Sequence, residues 1–255
     1  MEFSEFHNWV YRELGVRLNS YKETQLNRRI TTLMDKVGIN SLEEYKKLLI
    51  KDKESRDIFL EYITINVTEF FRNPEFFKTL EELIINNEET NINEMKIWSA
   101  GCSAGCEAYT LCMILNDIPK VKSYKIQGTD IDDNILKRAK EGYYTENEVK
   151  NVPKKYLKQY FKEEGTTFYI DSSVKSKVKF RKHDLMLDTY ESNFDLIVCR
   201  NVLIYFKDEA KNEIIENFAK ALKKKGILFV GATESINSYK NYGLEKISPF
   251  IYRKL

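Results

Sequence analysis

The chain has 255 residues, and its 41 lysines and arginines nearly balance its 39 acidic residues, for a formal net charge of +2. This balance argues against a nucleic-acid-binding protein, because such a protein carries a strongly basic face. No apolar stretch approaches the length of a membrane span, and the N-terminus lacks the basic start and apolar middle of a signal peptide. We therefore expect a cytoplasmic protein that does not insert into a membrane, and we expect a monomer.

The cysteines, at positions 102, 106, 112 and 199, show no disulfide framework. Cys102 and Cys106 are four residues apart, but there is no CxxC motif, and His7 and His183 are the only histidines. We therefore expect reduced, buried thiols and no metal site.

The first 75 residues contain helical patterns only. The second helix is predicted over residues 21–37, with Leu26, Ile30, Leu33 and Val37 on its buried stripe. Gly38 supplies a stop signal. This part of the chain is therefore predicted to be an all-helical domain that packs around its own core.

A basic row runs along the edge of that stripe. Lys22, Arg29 and Lys36 recur every seven residues, with Arg28 adjacent. Such a row would suit an acidic helical partner, or it would only face solvent. The pattern leaves both interpretations open.

The segment from Asn66 to Arg72 separates two kinds of pattern. Its β-branched residues disfavour a helix, and polar side chains alternate with apolar neighbours. Asn73 and Pro74 follow, an N-cap residue and a proline suited to the first helical position. We predict a domain boundary between residues 72 and 90.

Residues 95–110 predict a strand, a tight turn and a helix. The apolar Ile97 and Trp98 give way to small residues, including Gly101 and Gly105, and then to helical spacing. Small residues let a ligand approach the backbone, and N–H groups at the helix start favour an electron-rich partner. Because helices and strands continue to alternate, we predict an open α/β sheet with ligands at the strand C-terminal ends. A purely packing role for the glycines is the alternative.

Acidic residues end the second predicted strand, over 125–132. Asp132 or Asp133 would cap the following helix. Asp130 lies where an α/β nucleotide site holds ribose hydroxyls, because a carboxylate can accept hydrogen bonds from both. We favour that role for Asp130 over a capping role.

Residues 143–177 interrupt the alternation of helices and strands. They predict helical turns and a short hairpin around Gly165, with strands over 167–170 and 178–180. We interpret this region as an insertion between the second and third strands. The third strand is predicted to end at residues 183–185, and the fourth covers 194–201.

Several segments in this order resemble the CheR-type family of chemotaxis-receptor methyltransferases. They cover almost the whole chain: NVTEFFRNPEFF, WSAGCSAGCEAYT, GTDID, AKEGYY, FDLIVCRNVLIYF and LKKKGILFVGATES. The resemblance implies an α/β fold, with an N-terminal all-helical domain over 1–75 and a Rossmann-like, class I methyltransferase domain over 76–255. A small antiparallel β insertion would lie near 143–178. One turn departs from the family's Gly-Glu-Glu-Pro-Tyr, since this chain has Cys106 and Ala108 around Glu107.

The resemblance also implies a cofactor, S-adenosylmethionine (SAM), with S-adenosylhomocysteine as the product. Glu107 would face the cationic methionine end, Asp130 the ribose, and Asp184 with Leu185 the adenine. Arg72 and Tyr205 would be the catalytic pair, since both would orient the substrate carboxylate. The other implied cofactor-binding residues, to which Arg72 also belongs, are Asn66, Thr68, Gly101, Arg200, Asn201 and Val202.

The activity implied is methyl-ester formation on glutamate side chains of chemotaxis receptors. The partner would be the cytoplasmic helical region of a receptor, contacted through Lys22, Arg28, Arg29 and Lys36. Two alternatives remain: a SAM-dependent enzyme for another protein or a small acid, and a SAM-binding regulatory module. Nucleic-acid methylation is disfavoured by the balanced charge.

Overall fold

The computed structural model describes residues 1–64, 66–86 and 93–255. The α-helices are α1 (Phe3–Leu14), α2 (Glu23–Lys36), α3 (Leu42–Lys51), α4 (Lys53–Thr64), α5 (Pro74–Asn86), α6 (Cys106–Asn116), α7 (Asp133–Glu141), α8 (Glu146–Val149), α9 (Lys154–Tyr160), α10 (Ser172–Lys175) and α11 (Asp208–Ala221). The strands are β1 (Met95–Ala100), β2 (Tyr124–Asp130), β3 (Tyr143–Thr145), β4 (Phe161–Glu164), β5 (Thr167–Ile170), β6 (Val178–Lys182), β7 (Phe194–Cys199), β8 (Leu222–Val230), β9 (Leu244–Ser248) and β10 (Ile251–Lys254).

Helices α1 to α4 pack around one apolar core. Phe6 lies at its centre and contacts the rings of Tyr45 and Phe59. Leu26, Ile30 and Leu33 of α2 are buried there as predicted, because residues spaced by three and four share a helix face. Val37 is exposed, which corrects its predicted burial: α2 ends at Lys36, so Val37 leaves the stripe.

The main sheet has the order β6-β2-β1-β7-β8-β10-β9. Strands β6, β2, β1, β7 and β8 are mutually parallel, and β10 runs antiparallel to β8 and β9. Neighbouring residues of β1 enter different cores, Ile97 on one face and Trp98 on the other, because side chains alternate along a strand. Helices α5 and α6 cover the first face and α11 covers the second. This is the predicted α/β arrangement.

A second, three-stranded antiparallel sheet has the order β3-β5-β4 and lies between β2 and β6 in sequence. Gly165 is in the left-handed region at the β4–β5 turn, with φ of 63°. The hairpin therefore pairs β5 with 161–164, and the expectation that 178–180 belongs to it is wrong. Those residues form β6 of the main sheet, because an alternating pattern identifies a strand but not its partner.

The segment between α4 and α5 crosses onto the second part of the chain. Phe70 is fully buried against Tyr144 and Phe161 of the insertion, and Phe71 stacks on Tyr156. Helix α5 starts at Pro74, as predicted. Residues 87–92, which overlap the predicted boundary region 72–90, lie outside the described residues. In the part of the chain that the structure describes, no helix is long and apolar enough to cross a bilayer.

Candidate functional site

A cleft opens where the parallel strands β1, β2 and β7 end, between the sheet and the N-terminal helices. It encloses about 970 Å³, part of it open to solvent, which is the size of a small-molecule site. All of the residues predicted from sequence to form the site line this cleft: Asn66, Thr68, Arg72, Gly101, Glu107, Asp130, Asp184, Leu185, Arg200, Asn201, Val202 and Tyr205.

The turn after β1 brings the backbone close to the cleft. Gly101 has φ of 73°, and a Cβ there would collide with the side chain of Val202. The N–H groups of Gly101 and Cys102 both donate to the carbonyl of Thr129, and that of Ser103 donates to Asp130. These three donors therefore hold the turn to β2 and are not offered to a ligand.

Asp130 ends β2 with its carboxylate buried in the cleft wall. One oxygen accepts from Ser103 N at 2.9 Å and the other from Asp132 N at 3.1 Å. A carboxylate has about four lone-pair positions, so each oxygen can still accept from a ligand. Burial raises the pKa of Asp130 to about 6, although these N–H bonds oppose the rise. Asp132 caps α7, which decides between the two capping candidates.

Glu107, in the first turn of α6, also lines the cleft. Its Oε1 accepts from Ser99 Oγ at 2.8 Å, and its Oε2 lies 3.9 Å from a guanidinium nitrogen of Arg200. Burial raises the pKa of Glu107, and Arg200 opposes that rise. Arg200 itself lies between the rings of Phe77 and Phe229, about 5 Å from each. A buried acid whose nearest guanidinium contact is as long as 3.9 Å is suited to a cationic ligand group.

Four cleft residues carry a buried polar atom without a hydrogen-bond partner, which favours a polar ligand at this site. Among the described residues, seven buried side-chain polar atoms have no hydrogen-bond partner. Four of the seven belong to cleft residues: Ser103 Oγ, His183 Nε2, Asp184 Oδ2 and Arg200 Nε. An unpaired buried polar atom costs about 1–3 kcal/mol. A ligand with several donors and acceptors, such as a nucleoside, would remove that cost.

The loop after β7 carries the next group of cleft residues. Asn201 adopts the left-handed region with φ of 61°. Glu234, only 1% exposed, accepts from the N–H groups of Asn201, Gly231 and Ile204 at 2.7, 2.7 and 3.1 Å. One carboxylate therefore fixes the start of the loop and the turn before Tyr205. Glu234 was not predicted as a site residue, although it lies in the quoted motif LKKKGILFVGATES.

The interdomain segment, residues 66–73 between α4 and α5, lines one side of the cleft. Asn66 donates to Asp132 Oδ2 at 2.8 Å. Among the ion pairs of the described residues Arg72 takes part in none, whereas its neighbour Glu69 pairs with Lys150 at 2.8 Å. A surface ion pair of Arg72 with Glu69 or Glu75 would be an alternative to ligand contact, and the described residues show neither. Burial raises the pKa of Tyr205, while Arg29 and Arg72 oppose the rise, so its hydroxyl stays protonated at neutral pH.

The basic row on α2 is divided in its environment. Lys22, Arg28 and Lys36 are exposed, whereas Arg29 is half-buried. The Arg29 guanidinium lies 4.3 Å from the centre of the Tyr62 ring and donates to the carbonyl of Tyr62. Lys36 Nζ also lies 4.9 Å from the centre of the Tyr62 ring, although its side chain is exposed. The basic row therefore presents three exposed cations, and Tyr62 orients both Arg29 and Lys36.

Further aromatic residues line the cleft, among them Tyr21, which lies outside the quoted motifs, and Phe206, which ends the motif FDLIVCRNVLIYF. Tyr21 comes from the N-terminal helices and Phe206 follows Tyr205. Tyr21 lies outside the conspicuous motifs, so only its place in the fold reveals it. No group of three or more potential metal ligands occurs among the described residues.

Comparison with known proteins gives the family. A family model described as "CheR methyltransferase, SAM binding domain" matches residues 66–249, and one described as "CheR methyltransferase, all-alpha domain" matches residues 1–64. The "Chemotaxis protein methyltransferase" of Listeria monocytogenes serovar 1/2a is 39% identical over 99% of this chain and 97% of its own length. That of Borreliella burgdorferi is 34% identical over 99% and 94%.

Among solved structures, PKMT2 from Rickettsia typhi in complex with AdoHcy is 20% identical, with a TM-score of 0.40, over 64% of this chain and 26% of that one. The all-alpha family model ends at residue 64 and the SAM-binding model begins at residue 66. These limits describe the family models, and the predicted domain boundary at residue 75 stays a prediction. The unpaired polar atoms and the free acceptor positions of Asp130 fit the cofactor that the family uses. The chain belongs to the CheR methyltransferase family, and it is a SAM-dependent methyltransferase.

Proposed function

We propose that this enzyme transfers a methyl group to glutamate side chains of chemotaxis receptors and so forms methyl esters for sensory adaptation. The observation that carries the proposal is the cleft itself, where the unpaired Arg72 and the protonated Tyr205 line the same space as Glu107. The names of the full-length relatives support the chemotaxis role. We also infer that the enzyme is a cytoplasmic monomer.

The proposed cofactor contacts follow the cleft from one end to the other. Asp130 accepts hydrogen bonds from the ribose, and the unpaired Oδ2 of Asp184 accepts from the adenine amino group beside Leu185. Glu107 faces the cationic end. The remaining proposed contacts come from the interdomain segment (Asn66, Thr68 and Arg72) and from the loops after β1 and β7 (Gly101, Arg200, Asn201 and Val202).

The bound cofactor supplies a methyl group that its sulfonium already activates, and S-adenosylhomocysteine is the product. A glutamate carboxylate is ionised at neutral pH, so the chain needs no general base. Arg72 and Tyr205 orient this carboxylate by hydrogen bonds, and alignment of this kind can supply effective molarities of about 10⁵–10⁸ M. The carboxylate loses its charge as the ester forms, so Arg72 must hold it loosely enough not to stabilise the ground state.

The proposed partner is a helical receptor segment lying across the mouth of the cleft. Lys22, Arg28 and Lys36 offer exposed charge to acidic residues of such a segment. Arg29 is oriented by Tyr62 and lies near Tyr205, so it would act closer to the methylated carboxylate. A helical receptor segment with acidic residues fits this basic row better than a small acid does.

The test is incubation of the purified chain with methyl-labelled SAM and membranes that carry receptors from the same source. We expect base-labile label on the receptor band. The Arg72→Ala variant should lower turnover about a hundredfold or more, the size of effect seen when a transition-state hydrogen-bond donor is removed. Its affinity for S-adenosylhomocysteine should fall less than tenfold. Arg12→Ala, on the exposed side of α1, is the matched control.

Absence of label on any receptor, with S-adenosylhomocysteine still bound in a parallel titration, would refute the receptor substrate. That result would favour one of the alternatives: methylation of another protein or of a small acid, or a SAM-binding regulatory role. Equal losses of turnover and cofactor affinity in Arg72→Ala would assign Arg72 to the cofactor alone.

A further inference from the structure

A short stretch of the N-terminal domain is bonded directly to the loop that follows β7. We call residues 20–22 together with residues 205–207 the interdomain clasp. Lys22 N donates to the carbonyl of Tyr205 and Lys207 N to the carbonyl of Ser20, both at 2.9 Å. These bonds form an antiparallel bridge between Tyr21 and Phe206, whose ring centres are 4.7 Å apart. The position of the Tyr21 side chain is therefore fixed from both domains.

The clasp places the Tyr21 ring in the wall of the cleft. Tyr21 lines the cleft together with Asp130 and Asp184, the acids assigned above to ribose and adenine. Within the described residues, its hydroxyl makes no hydrogen bond to the protein. Burial raises the pKa of Tyr21, and the two acids raise it further, so the hydroxyl remains a donor at neutral pH. Tyr21 is half-buried, and its hydroxyl is not among the fully buried atoms without a partner, so it is open to the cleft and free to donate to an acceptor of a bound ligand.

We propose that Tyr21 is a cofactor-binding residue contributed by the N-terminal domain, and that its hydroxyl donates a hydrogen bond to the adenosine part of SAM. The clasp holds the ring, and because Asp130 and Asp184 line the same cleft, the acceptor would be an atom of the ribose or the adenine. The cofactor site is then incomplete without the helical domain. The inference rests on the cofactor part of the proposed site and is independent of the receptor substrate.

The experiment measures ligand affinity in the full-length chain. Tyr21→Phe removes the hydroxyl and keeps the ring that packs on Phe206. Tyr11→Phe, in the same domain and 41% exposed, is the matched control. Calorimetric titration gives the dissociation constant for S-adenosylhomocysteine, and displacement gives that for adenosine. Thermal unfolding of each ligand-free variant checks the fold.

We expect Tyr21→Phe to raise the dissociation constant for S-adenosylhomocysteine about three- to tenfold, which is the effect of losing one hydrogen bond. The dissociation constant for adenosine should rise by the same factor, because the proposed contact is with the nucleoside. Tyr11→Phe should bind both ligands like the wild type.

Two results would overturn the proposal. Affinities of Tyr21→Phe within twofold of the wild type would assign the residue to packing alone, whether or not the unfolding midpoint falls. A loss for S-adenosylhomocysteine without a loss for adenosine would place the contact elsewhere. Neither readout involves a receptor, so failure of receptor methylation would leave the result unaffected.

Discussion

Buried charge governs the cleft at the level of single residues. Glu107, Asp130 and Asp184 all have pKa values raised by burial, with few cations to balance them. An acid whose pKa is higher in the folded chain than in the unfolded one favours folding only while it is protonated. The site therefore carries charges that are unfavourable to the empty protein and useful to a bound cation or hydrogen-bond donor.

The sign of the pH dependence follows for Asp130. Its pKa is about 6 in the fold against 3.8 for an ordinary aspartate. Its stabilising contribution is therefore present below about pH 4 and lost as the pH rises through about 6. The ligand affinity should instead increase as the pH rises, because the ionised carboxylate is the better acceptor of hydrogen bonds from the ribose hydroxyls.

We expect the affinity for adenosine to fall as the pH is lowered from about 7 to about 5. Adenosine is the chosen ligand because it lacks the methionine part that would involve Glu107. Titrations over this range measure the effect, and Asp130→Asn should bind weakly and lose this part of the pH dependence. A flat profile in the wild type would contradict the role of Asp130 in binding.

At the scale of elements, one turn and one loop give the site its shape. The turn between β1 and α6 is tied to β2, and the loop after β7 is tied to Glu234 beyond β8. Loops that bind ligands need such bonds, because few apolar contacts hold them in place. Gly231 is part of the same arrangement, since a Cβ there would collide with the Glu234 carboxylate.

Glu234→Gln tests this arrangement. An amide has one oxygen for the three N–H donors and turns its own N–H toward them, so buried donors lose their partner. We expect the free energy of unfolding to fall by about 1–3 kcal/mol, and turnover at saturating cofactor to fall as the loop before Tyr205 loosens. Urea unfolding and the methylation assay measure the two effects.

The matched control is Glu216→Gln on the exposed side of α11, where the glutamate forms a surface ion pair with Lys220. It should change stability by about 0.5 kcal/mol or less. If Glu234→Gln were as stable as this control, Glu234 would not be what holds the loop.

At the scale of the whole molecule, the two domains enclose the cleft together. The N-terminal helices reach it through Tyr21 and the interdomain segment through Asn66 and Arg72. A ligand that contacts both sides binds the assembled state and so stabilises it. Binding should therefore order parts of the chain that are far apart in sequence.

Hydrogen exchange with and without saturating S-adenosylhomocysteine tests this expectation. We expect slower exchange in residues 20–23 and 66–72 as well as in residues 200–206. The exposed α3 side of the N-terminal domain serves as the internal control and should exchange at the same rate in both states. Protection confined to the second domain would show that the helical domain does not take part in cofactor binding.

Much of the fold was predictable because it follows from local patterns. The helix α2, the Pro74 helix start, the alternation of strands and helices after residue 95 and the β insertion were all predicted. The family and the cofactor were confirmed by the comparisons, since the motifs that carry them are contiguous in sequence. The roles of the individual site residues stay predictions, although all twelve line one cleft.

The sequence by itself determined the elements and the family, because helix periodicity, strand alternation, caps and contiguous motifs depend on near neighbours. Only the tertiary structure decided which strands pair, and it placed 178–182 in the main sheet and left Val37 exposed. It also brought Tyr21 to the cofactor cleft and Glu234 to the loop after β7. Contacts between residues 33 or 185 positions apart leave no local pattern in the sequence, so packing alone reveals them.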